Sequence, residues 1–78
     1  MNTKMTILLN DFNKIKRFGS EVIKFESDVD LVKGRYVIDA KSSVGIFTLD
    51  LSVPVDVIIH SENEEEIKKF NEVMGDFK

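Results

Sequence analysis

Between Val29 and Ala40 the chain alternates with a period of two. Val29, Leu31, Tyr36, Ile38 and Ala40 fall in one set; Asp28, Asp30, Arg35, Val37 and Asp39 fall in the other, polar apart from Val37. That period belongs to strands with one face buried. Lys33-Gly34 between the two runs supplies the positive φ of a tight hairpin. After Lys41 the alternation stops. Ser42-Ser43-Val44-Gly45-Ile46-Phe47 then predicts the capped start of a short helix, running from Ser43 to about Leu49. Upstream, Met5, Ile7 and Leu9 share one side of a first strand over Lys4 to Leu9. Asn10 or Asp11 is placed to cap a helix, and Phe12, Ile15, Phe18, Gly19, Val22 and Ile23 recur at helical intervals as far as about Lys24. Lys14, Lys16 and Arg17 occupy its outer face. Downstream, Val55, Val57 and Ile59 follow Pro54 as a fourth strand. Ser61-Glu62-Asn63-Glu64 reads as a capping box before a last helix that buries Ile67, Phe70, Val73, Met74 and Phe77.

The order is β-α-β-β-α-β-α, an α+β open-faced β-sandwich: a four-stranded antiparallel sheet with three helices on one face. Phe12, Ile15, Phe18, Val22, Leu31, Ile38, Ile46, Val57, Ile59, Phe70 and Met74 are expected in its core. Asp30, Val37, Asp39, Asp56, Ile58 and His60 are expected on the bare face of the sheet.

Composition narrows the chemistry. Seventy-eight residues, 42% hydrophobic and 32% charged, make one globular domain, 1–78. There is no cysteine, which removes disulfides, thiolate metal sites and thiol nucleophiles. A net charge of −3 without a basic aromatic face argues against nucleic acid. No apolar run reaches the roughly 20 residues of a membrane span, and no signal-peptide pattern opens the chain. The expectation is a soluble cytoplasmic domain with no cofactor, no metal, no membrane and no nucleic-acid partner. His60 is the only histidine, placed at the end of the fourth strand, where a solvated strand residue is the expected reading. No nucleophile–base pair is implied by spacing, so a small hydrolase of similar layout is disfavoured.

The run KF-x-SDVDL over Lys24 to Leu31, then the hairpin, then KS-x-x-G-I-F-x-L-x-L over Lys41 to Leu51 resembles the histidine-containing phosphocarrier (HPr) family of the bacterial phosphotransferase system. The resemblance implies the same fold and order of elements. It also implies a carrier histidine just after the first strand, at the start of the first helix, with an arginine beside it. Aligned on the serine segment, this chain has Asp11 at the histidine position, Asn13 at the arginine position and Lys14 where a proline usually follows. In lacking the carrier histidine it resembles the catabolite-repression variants of the family. From its own chemistry Asp11 is a helix N-cap worth about 1 kcal/mol. The alternatives are an acyl-phosphate site, which needs a metal and further carboxylates, or a fixed charge imitating a phosphoryl group.

The resemblance makes Ser42 a regulatory phosphorylation site for a serine kinase, since Lys41, Ser42 and Gly45 match that motif. The plainer alternative is a serine that merely caps the following helix. A phosphate there is expected to meet free helix N–H groups and to alter the fold little. Ser43 stands where the family usually shows a large aliphatic residue, which reduces the apolar docking patch to Val44 and Phe47, flanked by Lys14, Lys16, Arg17 and Lys41. The implied partners are proteins: phosphotransferase enzymes, a serine kinase or a transcription regulator. Two functions compete. One is a non-catalytic regulatory or interaction module, not an enzyme; the other is a working phosphocarrier of sugar uptake. The missing histidine favours the first.

Overall fold

A computed structural model describes residues 2–78. Four strands, β1 (Lys4–Ile7), β2 (Val29–Lys33), β3 (Tyr36–Asp39) and β4 (Val55–Ile59), form one antiparallel sheet in the order β1-β4-β2-β3. Two α-helices, α1 (Phe12–Val22) and α2 (Glu64–Met74), cover it, with short 3₁₀ turns at Gly45–Thr48 and Gly75–Phe77. Leu31 is registered against both Ile38 and Val57. All three therefore point to the same side of the sheet, the side expected to be buried. Phe18 and Val22 of α1, Ile46 of the first 3₁₀ turn, and Phe70 and Met74 of α2 join Val29, Leu31, Val57 and Ile59 in a single core on that side. Two edge-to-face aromatic pairs tie it together, Phe18 with Phe77 and Phe25 with Phe70, at centroid distances of 5.7 and 6.1 Å. Each such ring contributes roughly 1.5–3 kcal/mol by leaving water.

The hairpin forms where Gly34 allowed it. Lys33 pairs with Tyr36, leaving Gly34-Arg35 as a two-residue loop, and Gly34 holds φ +59°. Positive φ at the first loop residue alone fits a type II′ turn.

The expected third helix is a correction. Ser43 to Leu49 contains one 3₁₀ turn, Gly45–Thr48, and Leu49 is already extended (φ −95°, ψ 154°). Serine, valine, glycine and threonine are poor helix formers. The Thr48 hydroxyl also donates to the Gly45 carbonyl at 2.6 Å, occupying an acceptor that a longer helix would need. Gly45 is required for a separate reason. A Cβ built on it would lie 2.8 Å from Ile38 Cγ2 and 3.1 Å from Ser42 Oγ.

Several boundaries shift as well. The first strand ends at Ile7, although Leu9 is still buried and the Leu8 N–H donates to the Phe77 carbonyl at 2.8 Å. Helix α1 ends at Val22. The cap of α2 is Asn63 rather than Ser61: Asn63 Oδ1 accepts the Glu66 N–H at 3.1 Å, and Ser61 Oγ accepts the Asn63 N–H at 3.1 Å. Glu64, Glu65 and Glu66 fill the first turn of α2, where negative charge suits the helix dipole. Phe12 is not in the core but 64% exposed, and Ile15 and Ile38 are half-buried.

A candidate docking and regulatory site

Helix α1 advances about 100° per residue. Phe18, Val22 and Ile15 therefore span about 60° of its surface and face the sheet, while Phe12, Gly19 and Ile23 lie roughly 40–80° further round. The apolar stripe of α1 is wider than the core it covers. Its overhanging edge leaves Phe12 and Ile23 63–64% exposed. Across from that edge, Ala40, Ile46 and Phe47 close a groove of about 520 Å³. Lys16 and Lys41 stand among its walls, and the Lys16 ammonium lies 5.9 Å from the Phe12 ring centroid.

Asp11 sits at the start of α1 with extended backbone (φ −137°, ψ 135°). Its Oδ1 accepts the Asn13 N–H at 2.7 Å, and its carbonyl accepts the Ile15 N–H at 3.0 Å. The expected N-cap is present. One carboxylate oxygen is engaged with a single backbone donor of the helix start, the Asn13 N–H.

Ser42, not Ser43, caps the 3₁₀ turn. Ser42 Oγ accepts the Gly45 N–H at 3.1 Å, its carbonyl accepts the Ile46 N–H at 3.3 Å, and the side chain is half-buried. Ser43 is exposed in the groove wall. The expectation that phosphate on Ser42 would meet free donors of a helix end fails here. The turn has four residues, and its first N–H groups are taken by Ser42 itself.

The other candidates separate. Phe47 and Lys41 line the groove, and Val44, 79% exposed, stands on the segment leading into the turn. The Lys41 ammonium is anchored, donating to the Phe25 carbonyl at 2.7 Å. Arg17 does not line the groove. Its guanidinium lies 4.8 Å from the Phe77 ring centroid, toward the C-terminal turn. Lys14 is half-buried and also outside the groove wall. Phe12 and Ile23 are the members that sequence periodicity missed, because it assigns the whole stripe to the core.

Two polar features lie elsewhere. His60 Nε2 sits 2.7 Å from Asp30 Oδ2 beside the open sheet face, so the histidine is partnered rather than merely solvated. Glu66 ties the start of α2 to the loop before β2. Its carboxylate accepts the Ser27 hydroxyl and the N–H groups of Glu26 and Ser27, the latter two at 2.9 and 3.1 Å. The Ser27 hydroxyl, with that of Ser61, holds the Glu66 carboxyl down to about 2.

Together the order of elements, the antiparallel sheet with one face bare and the helix-lined groove define an α+β open-faced sandwich. The fold is that of HPr. The crystal structure of HPr-C-His from Thermoanaerobacter tengcongensis superposes with a TM-score of 0.72 at 24% identity, covering 92% of this chain and 90% of that one. No protein-family profile matches the sequence, and no curated protein matches it significantly.

Proposed function

We propose that this chain is a non-carrier relative of HPr, a protein-docking module of the phosphotransferase type regulated at Ser42. The observation that carries the reading is Asp11. It occupies the N-cap of α1, where the resemblance places the phosphoryl-bearing histidine, and its carboxylate already accepts the Asn13 N–H. A carboxylate that forms an acyl phosphate normally works beside a metal and other acids. Asn13 is exposed at the next turn position and brings no charge to neutralise a phosphoryl group. His60 is no substitute: it follows β4, pairs with Asp30 and does not cap a helix, since Asn63 is the cap of α2.

The groove between α1 and the Gly45–Thr48 turn is the docking surface. Exposed Phe12, Ile23 and Phe47 beside Lys16 form an apolar patch edged by positive charge, suited to an apolar partner surface with acidic surroundings. A phosphoryl group on Ser42 displaces Oγ from the Gly45 N–H and loosens the turn that positions Ile46 and Phe47. Modification therefore acts on the groove wall itself.

The test is an amide-shift titration of the labelled chain with a phosphotransferase Enzyme I and, separately, with an HPr-type serine kinase and ATP. Binding shifts are expected along Phe12 to Ile23 and Ser43 to Thr48, and phosphate is expected on Ser42 and absent from Ser42→Ala. Labelling of Ser43 in that variant, or binding shifts confined to the open sheet face, would overturn the assignment.

A further inference from the structure

Strand β3 is an edge of the sheet, and among the described residues no further strand pairs with its outer side. Lys33 and Tyr36 close the hairpin, and the Ala40 N–H bonds the Val29 carbonyl at 2.8 Å. Tyr36, Ile38 and Ala40 thus direct their backbone groups toward β2, and Val37 and Asp39 direct theirs outward. The Asp39 carbonyl is taken by the Ser42 N–H at 3.0 Å. The Val37 N–H and C=O therefore form the centre of the free edge. Val37 is itself 61% exposed and Tyr36 62% exposed.

Edge strands usually carry charges that discourage pairing. Here the two charges are opposite in sign and flank Val37 symmetrically, Arg35 two residues before it and Asp39 two residues after. An antiparallel two-fold through Val37 sets Val37 against Val37 of a second copy, and each Arg35 against an Asp39. Tyr36 then falls opposite Ile38, which is only half-buried in the single chain. Charges that protect other edges complete this one. A parallel pairing in register would instead stack Arg35 on Arg35 and Asp39 on Asp39.

We infer that the β3 edge is a self-association surface, and that its partner is a second copy of this chain. Two Val37 residues exchange main-chain hydrogen bonds across an antiparallel two-fold flanked by two Arg35–Asp39 ion pairs. The sheet becomes eight-stranded, and because the axis stands perpendicular to it, both α1 grooves face the same side. The product is a bivalent docking surface. The paired segment is a four-residue strand, so the dimer is weak and concentration-dependent, below the roughly 1,200 Å² of standard stable interfaces.

The chain has no cysteine, so single-thiol variants report the geometry directly. In an antiparallel hydrogen-bonded pair the facing Cα atoms are about 5.5 Å apart, within disulfide reach. Val37→Cys and Val44→Cys are oxidised at matched concentration with oxidised glutathione. Val44 is the more exposed of the two, 79% against 61%, so random collision favours it. The expected result is faster dimer formation by Val37→Cys. Adding Arg35→Glu should slow it about fivefold or more, as two exposed ion pairs are lost, and the double exchange Arg35→Asp with Asp39→Arg should recover it. Circular dichroism checks that each variant keeps the fold. Equal or slower cross-linking at Val37, or a rate indifferent to Arg35→Glu, overturns the inference.

Discussion

At the scale of single residues, the clearest predictions come from side chains whose partners are fixed. Glu66 holds three donors from the Glu26–Ser27 loop, and its carboxyl is lowered to about 2. The folded chain therefore binds fewer protons here than the unfolded chain. The stabilisation is present above the ordinary glutamate range near 4.5 and is lost as pH falls through about 2. Glu66→Gln should cost about 1 kcal/mol at neutral pH, discounted for the solvent around it. Denaturant midpoints of the two proteins should converge across that acid window; a constant gap would show that the charge is not what holds the loop. Gly45→Ala sets a methyl 2.8 Å from Ile38 Cγ2. The expected loss is about 1–3 kcal/mol, read as a lowered thermal midpoint. Asp11 as a cap and Gly34 as the turn glycine were legible from residue chemistry alone. Glu66 was not, because its partners are contributed by a loop some forty residues earlier in the chain.

Elements were legible where a period ran without competition. The strand pair and both long helices follow from alternation and helical spacing, since burial on one face enforces them, but the register does not: the loop is Gly34-Arg35, where the two runs had left Lys33-Gly34 between them. The Ser43–Leu49 segment misleads: a capping serine marks a start, but four residues later the chain has bonded its own carbonyl and turned away. Helix α1 misleads differently, because periodicity measures the width of an apolar stripe and not the width of the layer that covers it. Phe12 lies on the uncovered margin. Phe12→Ser should therefore change stability by no more than about 0.5 kcal/mol while weakening partner binding in the titration. A large drop in the thermal midpoint would return Phe12 to the core and remove one wall of the groove.

For the whole molecule, the fold was legible, and the functional reading rests on one substitution within it. A sheet covered on one side by α1, α2 and a short turn reproduces the HPr fold at 24% identity. The groove runs beside α1, and Asp11 stands as a backbone cap at the start of that helix. Whether that position transfers phosphate is decided directly by mixing the chain with Enzyme I and phosphoenolpyruvate and reading the intact mass at neutral pH. The native chain should keep its mass, and Asp11→His should show only partial transfer, since Asn13 and Lys14 also leave the anion without a cradle. A native chain heavier by one acid-labile phosphoryl group, mapped to Asp11 or to His60, would contradict it.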